Sequence, residues 1–265
     1  MITQAIKSLR LVNFKAFTDS SLELKPLTLL SGLNNTGKSC VLQSILLLRQ
    51  SFQQGLLSKG LALNGDLVSI GTGQDALNEY AEQDFIGFEI TWDDDTKGIW
   101  RYEYNCYANV LNLISLPVNE SILSNNIFTD FFCYLSSCKT NRRLDFDILE
   151  QLPYGSLLLL EHPEFLLDSR SQTQLGEKIA SATNRGVQII LETHSDHIFN
   201  AIRLSVKNET IRNENVGFLH FKREKQSYTI TSARIDGNGR IDNWQDGFFD
   251  EWDKGLEKLL EHTQT

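Results

Sequence analysis

The residues with the most chemistry in this 265-residue chain lie early, in Gly32-Leu-Asn-Asn-Thr-Gly37-Lys38-Ser39, a G-x-x-x-x-G-K-S pattern. Its two glycines admit backbone conformations closed to residues with a Cβ, so consecutive N–H groups can turn inward around a polyphosphate. Lys38 would set a cation on the terminal phosphates, and the Ser39 hydroxyl would ligate a magnesium ion bridging them. Asn34, Asn35, Thr36 and Cys40 complete the loop and the start of a helix whose N-terminal dipole adds to the anion site. The expected reading is a phosphate-binding loop.

A metal held in this way needs a carboxylate at the end of a neighbouring buried strand. The run Ser156-Leu-Leu-Leu-Leu-Glu161 supplies one, followed directly by His162-Pro163-Glu164. Glu161 is therefore expected to share the metal with Ser39. A second apolar run, Val187-Gln-Ile-Ile-Leu, leads into Glu192-Thr193-His194-Ser195. A histidine leaving the carboxyl end of that strand is expected near the terminal phosphate, where open parallel sheets bind their ligands.

Positioning these groups requires strand, loop and helix in order. Leu27, Leu29 and Leu30 precede the loop, and Val41, Leu42, Ile45, Leu46 and Leu48 mark one face of a helix after it. Ahead of them, residues 8–17 and 21–30 read as two strands around a Thr-Asp-Ser turn. Residues 85–92 and 99–108 alternate with many aromatics across Asp93-Asp-Asp-Thr-Lys-Gly and read as an antiparallel hairpin. The stretch 110–150 is poorly patterned, with a short helix expected at 127–135. Beyond it, buried strands at 156–161 and 187–192 alternate with helices at 169–183 and 195–206, the mark of a parallel sheet with crossover helices. Two further strands, 216–221 and 228–235, precede a last helix bearing Leu256, Leu259 and Leu260.

The chain is long enough to fold without disulfide or metal staples. Its four cysteines form no C-x-x-C pair, and its five histidines form no ligand-spaced cluster with them, so a reduced cytoplasmic setting is expected. The first ten residues lack the apolar run of a secretion signal, and no segment has the length to cross a bilayer. A formal net charge of −9 opposes attraction to nucleic acid or anionic lipid. Arg142-Arg143 and Lys222-Arg223-x-Lys225 are the only candidate basic patches for such contacts, and clusters this short are expected to be solvated surface. The acidic clusters Asp93-Asp-Asp and Asp145-x-Asp147 read as solvated turns rather than a nuclease metal site.

Taken together, Asn13-Phe-Lys-Ala-Phe17, the Gly32 to Ser39 loop, Leu160-Glu-His-Pro-Glu164 and Glu192-Thr-His-Ser195 resemble the ABC-type ATPases of the RecF, Rad50, SMC and OLD-like group. More narrowly, Leu61-x-Leu-Asn-Gly and Gly239-Arg-Ile-Asp-Asn-Trp-Gln-Asp-Gly-Phe-Phe-Asp-Glu resemble a bacterial family of AAA-type ATPases that closes with an Asn-Trp-Pro-x-Gly-Phe-Phe-Asp signature. Gln245 stands where that proline is expected. The resemblance implies an α/β fold: a mixed or antiparallel N-terminal β lobe, a mostly parallel core sheet flanked by helices, and a reduced helical lobe. It implies one domain over 1–265, with the β lobe and loop at 1–109, the helical lobe at 110–150 and the core and tail at 151–265. It also implies ATP and magnesium as ligands, Lys15 reaching the α-phosphate, Glu161 as the Walker B carboxylate, His194 as the switch histidine and Gln74 as a Q-loop residue.

Where that group carries a general-base glutamate, after Glu161, this chain has His162. Hydrolysis is therefore expected to be slow or partner-dependent, with Lys38, Glu161, His162, Glu164 and His194 as its catalytic residues and Glu164 as the substitute base. The signature stretch before the Walker B strand reads Leu144-Asp-Phe-Asp-Ile-Leu-Glu-Gln-Leu-Pro153, with Glu150 where a serine hydroxyl belongs. The expected role is an ATP-binding sensor or regulatory subunit, a homodimer or a complex with a separate effector such as a nuclease, in anti-phage defence or DNA maintenance. The alternatives are a nucleotide-locked scaffold without turnover and a RecF-like DNA-binding ATPase.

Overall fold

Alternating burial at the start of the chain builds the first sheet in the computed structural model, which describes residues 4–115, 120–137, 145–224 and 227–243, with Leu259. Strand β1 (Ile6–Phe14) turns at Lys15 and Ala16 into β2 (Phe17–Glu23), with Phe14 paired to Phe17. This corrects the expected turn: Thr18, Asp19 and Ser20 lie inside β2, and the left-handed backbone at Lys15 (φ 48°) closes the hairpin without a glycine. The expected second strand is also divided. Pro26 separates β2 from β3 (Leu27–Gly32), which belongs to a different sheet and leads through the glycine loop into α1 (Lys38–Gln53).

The next segment holds β4 (Gly60–Ala62), a single helical turn α2 (Gly73–Ala76), β5 (Phe85–Trp92), β6 (Lys97–Glu103) and β7 (Val110–Asn112). The aromatic hairpin forms as its alternation predicts, with its second strand running from Lys97 to Glu103 rather than over 99–108. It joins the first pair in an antiparallel sheet ordered β2-β1-β5-β6. Residues 127–135 are not a helix: after a 3-10 turn at Asn126–Phe128 the chain forms β8 (Phe132–Ser136) at the edge of the core sheet. Its aromatic and apolar residues are held by sheet pairing, which a helical reading of a five-residue apolar run could not reveal.

The remainder is α3 (Asp147–Gln151), β9 (Leu157–Glu161), α4 (Ser169–Asn184), β10 (Gln188–Glu192), α5 (Asp196–Lys207), β11 (Val216–Glu224) and β12 (Ser227–Ala233). The core sheet runs β12-β11-β3-β10-β9-β8, parallel except for β12. The expected last helix, including Leu256 and Leu260, lies outside the described residues, as do Arg142, Arg143, Lys225 and Gln245.

The central core strands carry apolar residues on both faces over most of their length because both faces are covered. Leu157, Leu159 and Ile190 face α1 and the aromatic sheet, whereas Leu158, Leu160, Ile189 and Leu191 face α4 and α5. The two sheets are clasped by one buried amide. Gln188 Nε2 donates to Ile6 O at 2.7 Å, and Ile6 N donates back to Gln188 Oε1 at 2.8 Å. Among the described residues no helix is long and apolar enough to cross a membrane.

Candidate functional site

The glycine loop is shaped by contacts that only glycine permits. Gly32 has φ +131°, and a Cβ there would lie 2.2 Å from the carbonyl oxygen of Phe221 on β11. Gly37 has φ +101°, and a Cβ there would meet Phe17 Cζ at 2.8 Å, so the loop rests directly on the β1–β2 turn. Between them Asn35 adopts the left-handed region (φ 61°), and the Thr36 hydroxyl donates to Leu33 O at 2.8 Å. Gly37 begins α1 without a side-chain cap, which leaves first-turn N–H groups for an anion.

Lys38 is only 3% exposed and curls over the loop, donating to Gly32 O at 2.8 Å and Leu33 O at 2.7 Å. Burial lowers its pKa, and nearby Glu192 opposes that shift. The loop is thus folded around its own lysine.

The carboxyl ends of three parallel strands meet this loop in register. Leu30 on β3 pairs with Glu192 on β10, Glu192 with Glu161 on β9, and Glu161 with Ser136 on β8. Strand alternation turns both Glu161 and Glu192 to the α1 side, shared with Leu159 and Ile190. Ser39 Oγ donates to Glu192 Oε1 at 2.9 Å, while Glu161 Oε2 accepts from the Tyr134 hydroxyl. Glu192 is 2% exposed, and its Oε2 is buried with no hydrogen-bond partner among the described residues. Burial raises its pKa, countered by His162, Ser39 and Lys38.

Two histidines flank these acids. The rings of His162 and His194 stack at 5.3 Å between centroids, 10° from parallel. His162 holds a left-handed backbone (φ 47°), with Nδ1 3.4 Å from Glu164 Oε1 and Nε2 3.7 Å from Glu192 Oε1. The Glu164 bond raises its pKa, against the opposing effect of burial. His194 is lowered by burial and by the charges of Lys38 and His162. Glu164 also accepts from the Thr193 hydroxyl at 2.7 Å and from His194 N at 3.0 Å. Burial alone would raise Glu164, but these bonds and His162 together hold it below the ordinary carboxylate value.

An open cavity of about 680 Å³ lies over the loop. Lys15, Asn34, Asn35, Thr36, Gly37, Lys38, Ser39, Cys40 and His162, all singled out in the sequence, line it. Gly32, Glu161, Glu164 and His194 do not line it but touch or pair with residues that do. Gln74 is exposed and outside the lining, where Asp75 stands instead. Glu150 is paired with Lys178 on α4, away from the cavity. The sequence reading passed over Glu192, although it too is a carboxylate closing an apolar strand. It also passed over Tyr134, hidden in the stretch read as a helix, and Gln43, Glu79 and Tyr228 on the cavity wall.

The oxygens of Ser39, Glu192 and Glu161, with one buried carboxylate oxygen unpartnered, suit a hard divalent cation such as magnesium. Among the described residues no three His, Cys, Asp or Glu side chains form a metal cluster by themselves.

Residues 5–129 match the model of an AAA ATPase domain, and residues 211–259 match that of a protein of unknown function (DUF3696). No curated protein matches the chain. Among solved structures, the fold is similar to the SMC head domain from Thermotoga maritima, at 12% identity and TM-score 0.53, over 87% of this chain and 99% of that one. It is also similar to the Smc head domain with an extended coiled coil bound to the C-terminal domain of ScpA, derived from Pyrococcus furiosus. That match has 10% identity and TM-score 0.55, over 99% of this chain and 100% of the other.

Proposed function

We propose that this chain is an ABC-type ATPase of the RecF, Rad50 and SMC class, a reading supported by the AAA ATPase domain match and the SMC-head-like fold, and that it binds ATP with magnesium and turns it over slowly or only with a partner. The observation that carries this reading is the Gly32 to Ser39 loop, folded over Lys38 at the mouth of the cavity and touching a strand-end carboxylate through Ser39. The loop amides and the α1 N-terminus would hold the phosphates, Lys38 would leave its two loop carbonyls for them, and Lys15 would reach the α-phosphate. Magnesium would supply charge neutralisation of the phosphates, held from the protein by Ser39 and the strand-end carboxylates. Glu164, with His162 and His194 on either side of its bonds, is the candidate that polarises water. Its carboxylate is already committed to three donors, which supports slow turnover.

A single-domain subunit that senses or regulates beside a separate effector, such as a nuclease in anti-phage defence or DNA maintenance, is the role this reading favours. One similar head domain was solved with ScpA bound, which supports a protein partner or a second copy of the chain. DNA binding is disfavoured by the net charge of −9, and Lys222 is paired with Glu224 at 2.8 Å. ATP affinity measured with magnesium tests the proposal. Lys38→Ala is expected to weaken it roughly tenfold to a hundredfold, the range of a charged hydrogen-bonding group. Absence of binding, or binding unchanged in Lys38→Ala, refutes it. Phosphate release that is lost in Glu164→Gln or His162→Ala would eliminate the nucleotide-locked scaffold, which His162 otherwise favours.

A further inference from the structure

The carboxylate that reaches the phosphate loop is not the one at the end of β9. In the core sheet β10 lies between β3 and β9, so a side chain closing β10 is one strand from the loop and a side chain closing β9 is two. Neighbouring strands stand about 4.8 Å apart, which sets Glu161 back from the loop strand by roughly 10 Å. Side-chain bonding follows that spacing. The Ser39 hydroxyl donates to Glu192 Oε1 at 2.9 Å, whereas Glu161 is engaged by the Tyr134 hydroxyl.

Glu192 is also the more poised of the two acids. Its Oε2 is buried and unpartnered among the described residues, yet the residue lines the nucleotide cavity beside Ser39. A buried acceptor left open is costly unless something fills it. Resting on the ATP-binding reading, we propose that Glu192 is the carboxylate that positions the divalent cation at Ser39, with Glu161 behind it in a supporting place. Ser39 and Glu192 then form one unit: the serine hydroxyl that ligates the cation is held in orientation by the acid that attracts it. A merely structural Glu192 would serve only as a hydrogen-bond acceptor for Ser39, a task that glutamine also performs.

The test compares ATP affinity in EDTA with ATP affinity in magnesium for the full chain and for Glu192→Gln, Glu161→Gln and Lys38→Ala, with melting temperature as a check of folding. Glu192→Gln is expected to bind ATP in EDTA at least as well as the wild type, and to lose tenfold or more of the gain that magnesium brings. Glu161→Gln is expected to keep the larger part of that gain, and Lys38→Ala to weaken binding in both conditions. A wild-type magnesium gain retained by Glu192→Gln overturns the proposal while leaving the ATP-binding reading intact. Failure of the wild type to bind ATP in either condition overturns both. If Glu192→Gln melts well below the wild type, the comparison is made at a temperature where the variant is still folded, and an undiminished magnesium gain there overturns the assignment.

Discussion

At the scale of single residues, the pair His162 and Glu164 makes the clearest prediction. Their hydrogen bond holds the imidazole pKa above its ordinary 6.5 in the folded protein. A group whose folded pKa is raised adds stability that is complete below its unfolded pKa and fades as pH rises through the folded value. Stability contributed by His162 is therefore expected to be full below about pH 6.5 and to decline above it. In Glu164→Gln the His162 midpoint, followed by NMR titration, should move down. An unchanged midpoint would show that Glu164 does not set it.

Among elements, the glycine loop depends on its contact with β11 and the β1–β2 turn. Gly32→Ala would force a left-handed φ on a residue with a Cβ and drive that Cβ to 2.2 Å from the Phe221 carbonyl. Backbone strain alone costs about 1–3 kcal/mol, and a backbone oxygen cannot swing aside as a side chain can. Denaturant unfolding should show a loss of at least that size, with ATP binding lost in parallel. Helix α1 had one predicted apolar face but is buried nearly all round, Leu47 and Ser44 included, because it is clamped between two sheets. Strand β8 escaped the sequence reading for a similar reason: its pairing with β9 comes from a segment distant in sequence. Local periodicity carries no trace of such a partner.

For the whole molecule, the clasp of Gln188 on Ile6 ties the aromatic sheet to the core sheet across 182 positions of sequence. Gln188→Ala would strand a buried N–H and a buried C=O of Ile6, at about 1–3 kcal/mol for each group left unpaired. Chemical unfolding should register that loss, and amide exchange of β1 should accelerate more than that of β9. Magnesium with ATP is expected to raise the melting temperature of the wild type, since a ligand of the folded state stabilises it by mass action. The same addition should leave Lys38→Ala nearly unmoved.

The sequence by itself determined the glycine loop, the two acid-ended, mostly apolar strands and their alternation with helices. Those features are local: turn chemistry demands glycine, and a strand covered on both faces must be apolar over most of its length. Only the tertiary structure decided which acid meets Ser39. Strand order is set by long-range pairing, and by inserting β10 beside β3 it brought Glu192 to the loop and left Glu161 one strand further away.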